Sequence, residues 1–183
     1  MSLDFRNAKV KPKLKRWQVW LLGIGLTISA IIFYLLAATT IVLNGTSSLP
    51  HSGYFMVTWP QVLRPGIYVA FEAPDEIAAA FDDLVFVKRV AAMPGDEVLS
   101  SPTSVCVNGE CRELLPEMIE AGYLPLHSHV VPPGKVVAFG EAVDSLDSRY
   151  AAIGDVDAST IVAVGYPITI PHWKEIGSWL GTF

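Results

Sequence analysis

Charge is what this sequence has least of. Only 17% of its 183 residues are charged while 51% are hydrophobic, and soluble domains usually carry about a quarter charged. That shortage argues for a membrane segment. Basic residues are scarcer still beyond the N-terminus. Residues 1–16 hold Arg6, Lys9, Lys11, Lys13, Lys15 and Arg16 against Asp4 alone, a local charge of +5 in a chain of net charge −5. The remainder, at −10, would repel phosphate, which excludes general nucleic-acid binding. Cysteine is nearly absent, with two residues. That excludes a disulfide-dense scaffold, and no second Cys pair or spaced His pair completes a metal set. No metal or organic cofactor is implied. Internal repeats and low-complexity segments are also missing, and the length suits one domain with an appendage.

The appendage is legible at once. From Trp17 to Leu43 no residue carries a formal charge, and Val19–Ala38 is almost wholly apolar. Roughly 20 helical residues cross a hydrocarbon core of about 30 Å. A cleavable leader has an apolar region of about 7–15 residues, shorter than this one, although Ala37-Ala38 imitates a cleavage region. We therefore expect residues 17–43 to be a retained transmembrane anchor, with Trp17, Trp20 and Tyr34 near its interfaces. The basic segment precedes the span, so the positive-inside rule assigns residues 1–16 to the cytoplasm and residues 44–183 to the outside. In a bacterium this is a single-pass inner-membrane protein with a periplasmic domain, and the lipid bilayer is its first partner.

Cys106-Val-Asn-Gly-Glu-Cys111 reads as a two-residue Asn-Gly hairpin. In that register Val107 faces Glu110 and Cys106 faces Cys111 at a non-hydrogen-bonded pair, close enough for a disulfide in an oxidising compartment. In a reducing compartment they would be two free thiols. His127 and His129 alternate on a polar segment and read as surface residues.

The outer domain, residues 44–183, reads as mainly β. Ile67–Phe71, Leu84–Ala91, Glu97–Leu99, Ser104–Val107, Lys135–Phe139 and Ile161–Ile170 are short Val, Ile and Phe-rich runs punctuated by Pro and Gly. A sandwich or barrel-like sheet follows. Ile77–Phe81 is expected to make a helical turn and Cys111–Gly122 a short amphipathic helix. Trp173–Phe183 has apolar residues at helical spacing.

Three polar segments stand out against this background. Asn44-Gly-Thr-Ser-Ser-Leu-Pro50 begins just past the span; taken alone, such a cluster is a loop. Val85-Phe-Val-Lys-Arg-Val90 puts a lysine inside an apolar strand. By alternation Lys88 shares a face with Phe86 and Val90, and burial there would pull its pKa down from about 10.4. Asp144-Ser-Leu-Asp-Ser-Arg-Tyr150 is a dense polar cluster after a strand. Each, taken singly, also reads as loop or solvated face.

In combination and in this order the segments resemble the type I signal peptidases, membrane-bound Ser-Lys proteases that remove leader peptides. Ser48-Leu49-Pro50 matches the family's nucleophile box, in which a serine precedes Met or Leu shortly after the anchor. Phe86-Val87-Lys88-Arg89-Val90 with Pro94-Gly95-Asp96 matches its lysine box, and Ser145-Leu146-Asp147-Ser148-Arg149-Tyr150 its last box. Val107-Asn108-Gly109 lies between them. The resemblance spans nearly the whole outer domain and implies a signal-peptidase-like β fold. It makes Ser48 the nucleophile, Lys88 its general base and Ser145 the residue orienting Lys88. The oxyanion hole would be the Ser48 backbone N–H with the Thr46 hydroxyl, and Asp147 and Arg149 would form a supporting ion pair. Ser47 competes with Ser48, and the Ser-Leu-Pro register favours Ser48; His51 is treated as incidental.

Asn-x-Thr-x-Ser-Leu-Pro followed by Gly53-Tyr54, with a short outer domain, looks like the conjugative-transfer branch, the TraF-type peptidases that mature pilins. Gly140-Glu-Ala-Val-Asp144 lacks the usual Gly-Asp-Asn-Arg-Asp-Asn run, a departure from the housekeeping form. The resemblance thus implies a propilin or other exported precursor as substrate and conjugative export machinery as a partner. It leaves open whether water or the substrate's own N-terminal amine resolves the acyl-enzyme. The rival readings are a housekeeping signal peptidase, an inactive membrane-anchored β scaffold of an export machine, and a cleaved soluble periplasmic β protein.

Overall fold

A computed structural model describes residues 15–43, 49–74, 77, 85–169 and 171–172. Residues 1–14, 44–48, nearly all of the expected turn at 77–81, and Trp173–Phe183 lie outside the described residues. The chain divides into two units, Met1–Ala37 and Ala38–Phe183.

The first unit is dominated by helix α1, Arg16–Ala38. Its start is closed by Gln18, whose Oε1 accepts from Lys15 N at 2.8 Å, one half of a capping box. Its apolar side chains are exposed along its length, with Ala38 at its end buried. The 23 residues make a helix of about 34 Å, long and apolar enough to cross a membrane. The expected span ran to Leu43, whereas helix ends at Ala38 and Thr39–Leu43 is a strand. The run Thr39-Thr-Ile-Val42 is β-branched throughout, and such residues are stiff at χ1 and favour strands.

The second unit is mainly β, as expected. Its strands are β1 (Thr39–Leu43), β2 (Gly53–Val57), β3 (Tyr68–Glu72), β4 (Val85–Ala92), β5 (Glu97–Ser100) and β6 (Ser104–Val107). Then come β7 (Glu110–Glu113), β8 (His129–Val130), β9 (Lys135–Phe139), β10 (Val156–Asp157) and β11 (Ile161–Ile168), with, among the described residues, a short α-helix, α2 (Pro116–Glu120), and a 3-10 turn at Ala158–Thr160. They form a seven-stranded sheet ordered β1-β2-β11-β3-β4-β9-β10 and a four-stranded sheet ordered β7-β6-β5-β8. Every pairing is antiparallel.

Alternation sorts the side chains. Val137 and Phe139 of β9 join Val98, Val105 and Val107 of the small sheet in one core. Val136 and Ala138, from the same strand, join Val69, Phe71, Val90 and Val164 in another. Between β11 and β2, a Cβ at Gly165 would lie 2.0 Å from the Phe55 carbonyl oxygen. Only glycine permits that spacing.

The expected helix over Cys111–Gly122 shrinks to α2. Residues 110–113 pair with β6 instead, Pro116 opens the helix where a missing N–H costs nothing, and Gly122 at φ 94° follows its end. The hairpin register is the expected one, Cys106 opposite Cys111 and Val107 opposite Glu110. Asn108 and Gly109 both have positive φ, 50° and 78°, as a two-residue hairpin turn of this hand requires. Cys106 and Cys111 are joined by a disulfide.

Candidate active site

Strand β4 is central in the large sheet, between β3 and β9, and it carries Lys88 inward. Lys88 lies opposite Val69 and Phe86 opposite Phe71; only 3% of Lys88 is exposed. Its Nζ stands 5.4 Å from the Phe86 ring centroid and donates to Ser145 Oγ at 2.7 Å. An ammonium in this setting has lost its water and has a neutral hydroxyl as its hydrogen-bond partner. Burial accordingly pulls the Lys88 pKa down from 10.5 to about 8, with Asp147 and Asp144 pulling the other way and Arg149 adding to the depression.

Ser145 opens a polar staple that is itself buried. Ser145, Asp147, Ser148 and Arg149 are all at most 2% exposed, which is tolerable only if their polar atoms are satisfied. They are. Arg149 donates through Nε to Asp147 Oδ1 at 2.9 Å and through Nη2 to Asp147 Oδ2 at 2.8 Å. Its remaining N–H groups reach the carbonyls of Glu113 at 3.0 Å, Val143 at 3.0 Å and Ala142 at 3.1 Å. All five guanidinium donors are thereby used. Asp147 also accepts from Gly140 N at 2.7 Å and from Arg149 N at 3.0 Å. Ser148 Oγ accepts from Ala138 N at 3.1 Å, and the Tyr150 hydroxyl accepts from Leu115 N at 3.1 Å. The staple thus ties β9, β7 and the segment before α2 to one short stretch of chain.

Gly140 belongs to this geometry, though sequence reasoning gave it no role. A Cβ there would fall 1.9 Å from Ser145 Oγ and 3.2 Å from Asp147 Oδ2. Glycine lets the serine hydroxyl sit where Lys88 can reach it. The only local signal was a glycine directly between a strand and a polar run, and that reads first as a turn.

The Pro94-Gly95-Asp96 turn joins the lysine strand to the hairpin. Asp96 Oδ2 accepts from Met93 N and from Asn108 Nδ2, both at 2.8 Å, and these bonds lower its pKa. Asn108 Nδ2 also donates to the Ala91 carbonyl at 3.1 Å. On the opposite face of β4, Arg89 bonds Glu110 at 2.6 Å and stands 3.7 Å from Glu141.

Thr46, Ser47 and Ser48 lie outside the described residues; Leu49, next in the chain, is buried with Tyr54, Met56 and Tyr68. His51 packs edge-on to Tyr54 and Tyr68, with centroids 6.2 Å away. His127 is exposed as expected, and His129, also read as a surface residue, is partly buried. Its Nε2 lies 2.8 Å from Asp155 Oδ2, because β8 pairs with β5 and carries the ring against the segment before β10. Among the described residues no group of three or more His, Cys, Asp or Glu side chains could hold a metal ion.

What this arrangement offers chemically is a desolvated amine poised near neutrality, aligned by a hydroxyl on a rigid buried staple. Such an amine is suited to proton transfer rather than to ion pairing. The sequence profile of the family described as "Signal peptidase, peptidase S26" matches residues 14–168. Among solved structures, a signal peptidase I from Enterococcus faecalis is similar at 19% identity, with a TM-score of 0.36 over 57% of this chain and 97% of that one. No curated protein matches the chain. The profile match covers most of the sequence, both the lysine strand and the polar staple included, so the chain belongs to the signal peptidase family, peptidase S26, as a serine-type hydrolase that cleaves signal peptides.

Proposed function

We propose that the protein is a single-pass, inner-membrane Ser-Lys endopeptidase whose periplasmic domain, residues 44–183, matures propilin for conjugative transfer. The observation that carries the catalytic part is the 2.7 Å bond between the buried Lys88 Nζ and Ser145 Oγ.

In this reading Ser48 Oγ attacks the scissile carbonyl while neutral Lys88 Nζ takes its proton. The Ser48 N–H and the Thr46 hydroxyl receive the developing oxyanion. Lys88 then protonates the departing amine, and the acyl-serine is released when Lys88 deprotonates the attacking water. Ser145 holds the amine in line, and the Asp147–Arg149 pair holds Ser145. A pKa of about 8 leaves roughly one lysine in ten neutral at pH 7, against about one in three thousand for an unperturbed side chain. That factor of about 300 is the reason a lysine serves here where a histidine would elsewhere.

The basic segment at 1–16 and the apolar helix support an anchored protein with its N-terminus in the cytoplasm, and the Cys106–Cys111 disulfide fits an oxidising compartment. Anchoring enzyme and precursor in one bilayer raises their effective concentration. The conjugative client rests on Asn44-x-Thr-x-Ser-Leu-Pro50 with Gly53-Tyr54 and on the altered run at 140–144.

The test uses detergent-solubilised full-length protein with a prepilin and a general secretory precursor, read by intact mass. Cleavage of the prepilin alone, lost in Ser48→Ala and Lys88→Ala, is the expected result. Cleavage of both precursors moves the protein to the housekeeping class. Equal inertness of wild type and variants on both precursors would overturn the peptidase assignment in favour of a scaffold.

A further inference from the structure

Strand β7 is an edge strand of the small sheet, yet its inward side is charged. Val107 and Val105, the β6 residues opposite Glu110 and Arg112, are buried, so Glu110 and Arg112 share their side of the sheet. There they meet Arg89. Glu110 Oε1 accepts from Arg89 Nη2 at 2.6 Å, from Arg112 Nη2 at 2.6 Å and from Arg112 Nε at 2.9 Å. Glu141 closes the group. Its Oε1 is 3.7 Å from Arg89 Nε and accepts from the Tyr68 hydroxyl, and its backbone carbonyl accepts from Arg112 Nη1 at 3.4 Å. Two cations and two carboxylates thus form a neutral, half-buried ring.

The ring grips the chain at a sensitive place. Glu141 follows Gly140, the residue whose missing Cβ makes room for Ser145, and the short run 141–144 leads directly into Ser145. Arg149 reaches the same strand from the other side, at the Glu113 carbonyl. Strand β7 therefore contacts both ends of the segment that carries the Lys88 partner. Cys111 lies between Glu110 and Arg112 and is bonded to Cys106, so the disulfide fixes the backbone from which both charged residues project.

We propose that Glu110, presented by the disulfide-closed hairpin, is a positioning residue for the Lys88–Ser145 pair, acting through Arg89, Arg112 and Glu141. The inference rests on the catalytic roles proposed above for Lys88 and Ser145. Removing Glu110 leaves two adjacent guanidinium groups, of which Arg89 keeps the Glu141 carboxylate at 3.7 Å and Arg112 only the Glu141 backbone carbonyl. Their repulsion releases the 141–144 run, Ser145 loses its fixed place, and water reaches Lys88. Burial is the main cause of the Lys88 depression, so rehydration raises its pKa. The charged groups that act on Lys88 itself are Asp147, Arg149 and Asp144, and none of them is altered by this change.

The experiment measures kcat, KM and the pH dependence of kcat for full-length wild type, Glu110→Ala, Glu110→Gln and the pair Cys106→Ser/Cys111→Ser. Ser145→Ala and Lys88→Ala serve as references, with a precursor that the wild type cleaves. Glu110→Ala is expected to lower kcat about tenfold with less than about a twofold change in KM, and to move the limb near pH 8 upward. Glu110→Gln, which keeps the acceptor oxygen, should recover most of the rate, and the cysteine pair should fall between them. A normal rate in Glu110→Ala overturns the proposal. So does a reduced rate with the limb unmoved while Ser145→Ala moves it, since that is the signature of a merely structural residue. Full activity in Lys88→Ala would instead overturn the Ser-Lys reading itself.

Discussion

Lys88 and Arg89 are neighbours on one strand, carry the same formal charge, and are treated in opposite ways. Lys88 points into the apolar side of the large sheet and meets a neutral hydroxyl. Arg89 points to the other side and meets two carboxylates. Burial lowers the first pKa to about 8; the hydrogen bond to Glu110 is the leading cause that raises the second. One residue step along a strand reverses the face, and so separates a charged scaffold cation from a buried amine with a lowered pKa. The choice of residue suits each side. Arginine stays charged and its planar fork matches carboxylates, whereas lysine gives up its proton when desolvated.

The sharpest way to break this contrast is Lys88→Met, which keeps the length and removes the charge. Cleavage should fall by about 10²–10⁴-fold, the usual contribution of a general base, measured as single-turnover cleavage of precursor. Stability should move the other way. The folded pKa of Lys88, about 8, lies below its unfolded 10.5, so between those values the unfolded chain binds more protons. Stability of the wild type therefore rises with pH across that window, and below about pH 8 the fold bears the full cost of the charge, about 3 kcal/mol. Lys88→Met removes that cost. Its advantage in denaturant midpoint should be present at pH 7 and vanish by about pH 10.5. An unchanged midpoint at both pH values would mean that Lys88 is solvated in the folded protein.

How much of this the sequence carried depends on whether the information was local. The inward face of Lys88 followed from alternation with Phe86 and Val90, and the hairpin register from Asn108-Gly109. The last polar box declared itself by density of polar residues after a strand. What escaped was long-range. Strand β1 is hidden in an unbroken uncharged run, because periodicity does not separate an all-apolar helix from a short strand; only the β-branched cluster at 39–42 marks the change. Strand β2 was passed over although Gly53-Tyr-Phe-Met-Val57 is apolar throughout, and β8 and β10, two residues each, are too short to show a period. Gly140 matters because Ser145 folds back on it, and the Glu110–Arg112 pair because Arg89 and Glu141 arrive from elsewhere. Neither meeting is written in the residues on either side. The His129–Asp155 pair is hidden for the same reason, since Asp155 reaches the ring from a distant segment.

A second break of the comparison targets the carboxylate on the Lys88 side. Asp147→Asn leaves the Arg149 guanidinium buried at 1% exposure with three carbonyl acceptors but no counter-charge. Truncating one partner of a buried pair typically costs about 3–5 kcal/mol, mostly as the penalty of the orphaned charge. Unfolding by urea should show a loss in that range, with the slope unchanged. A loss below about 1 kcal/mol would mean that water reaches Arg149.

The smallest effect belongs to the other face and completes the contrast. In Arg89→Gln, Glu110 keeps its two bonds from Arg112 at 2.6 and 2.9 Å, and Glu141 loses a 3.7 Å ion pair but keeps the bond from the Tyr68 hydroxyl. The Arg89 and Glu110 side chains are 22% and 31% exposed, and pairs open to solvent to this degree contribute about 0–1 kcal/mol. Salt separates the two faces further. At about 1 M salt the screening length falls to about 3 Å, so the deficit of Arg89→Gln should shrink towards zero while that of Asp147→Asn, shielded from ions, should persist. Urea midpoints at low and high salt for both variants give the comparison directly. If both deficits collapse together, the two sides of β4 are equally wet, and desolvation could not be what distinguishes Lys88 from its neighbour.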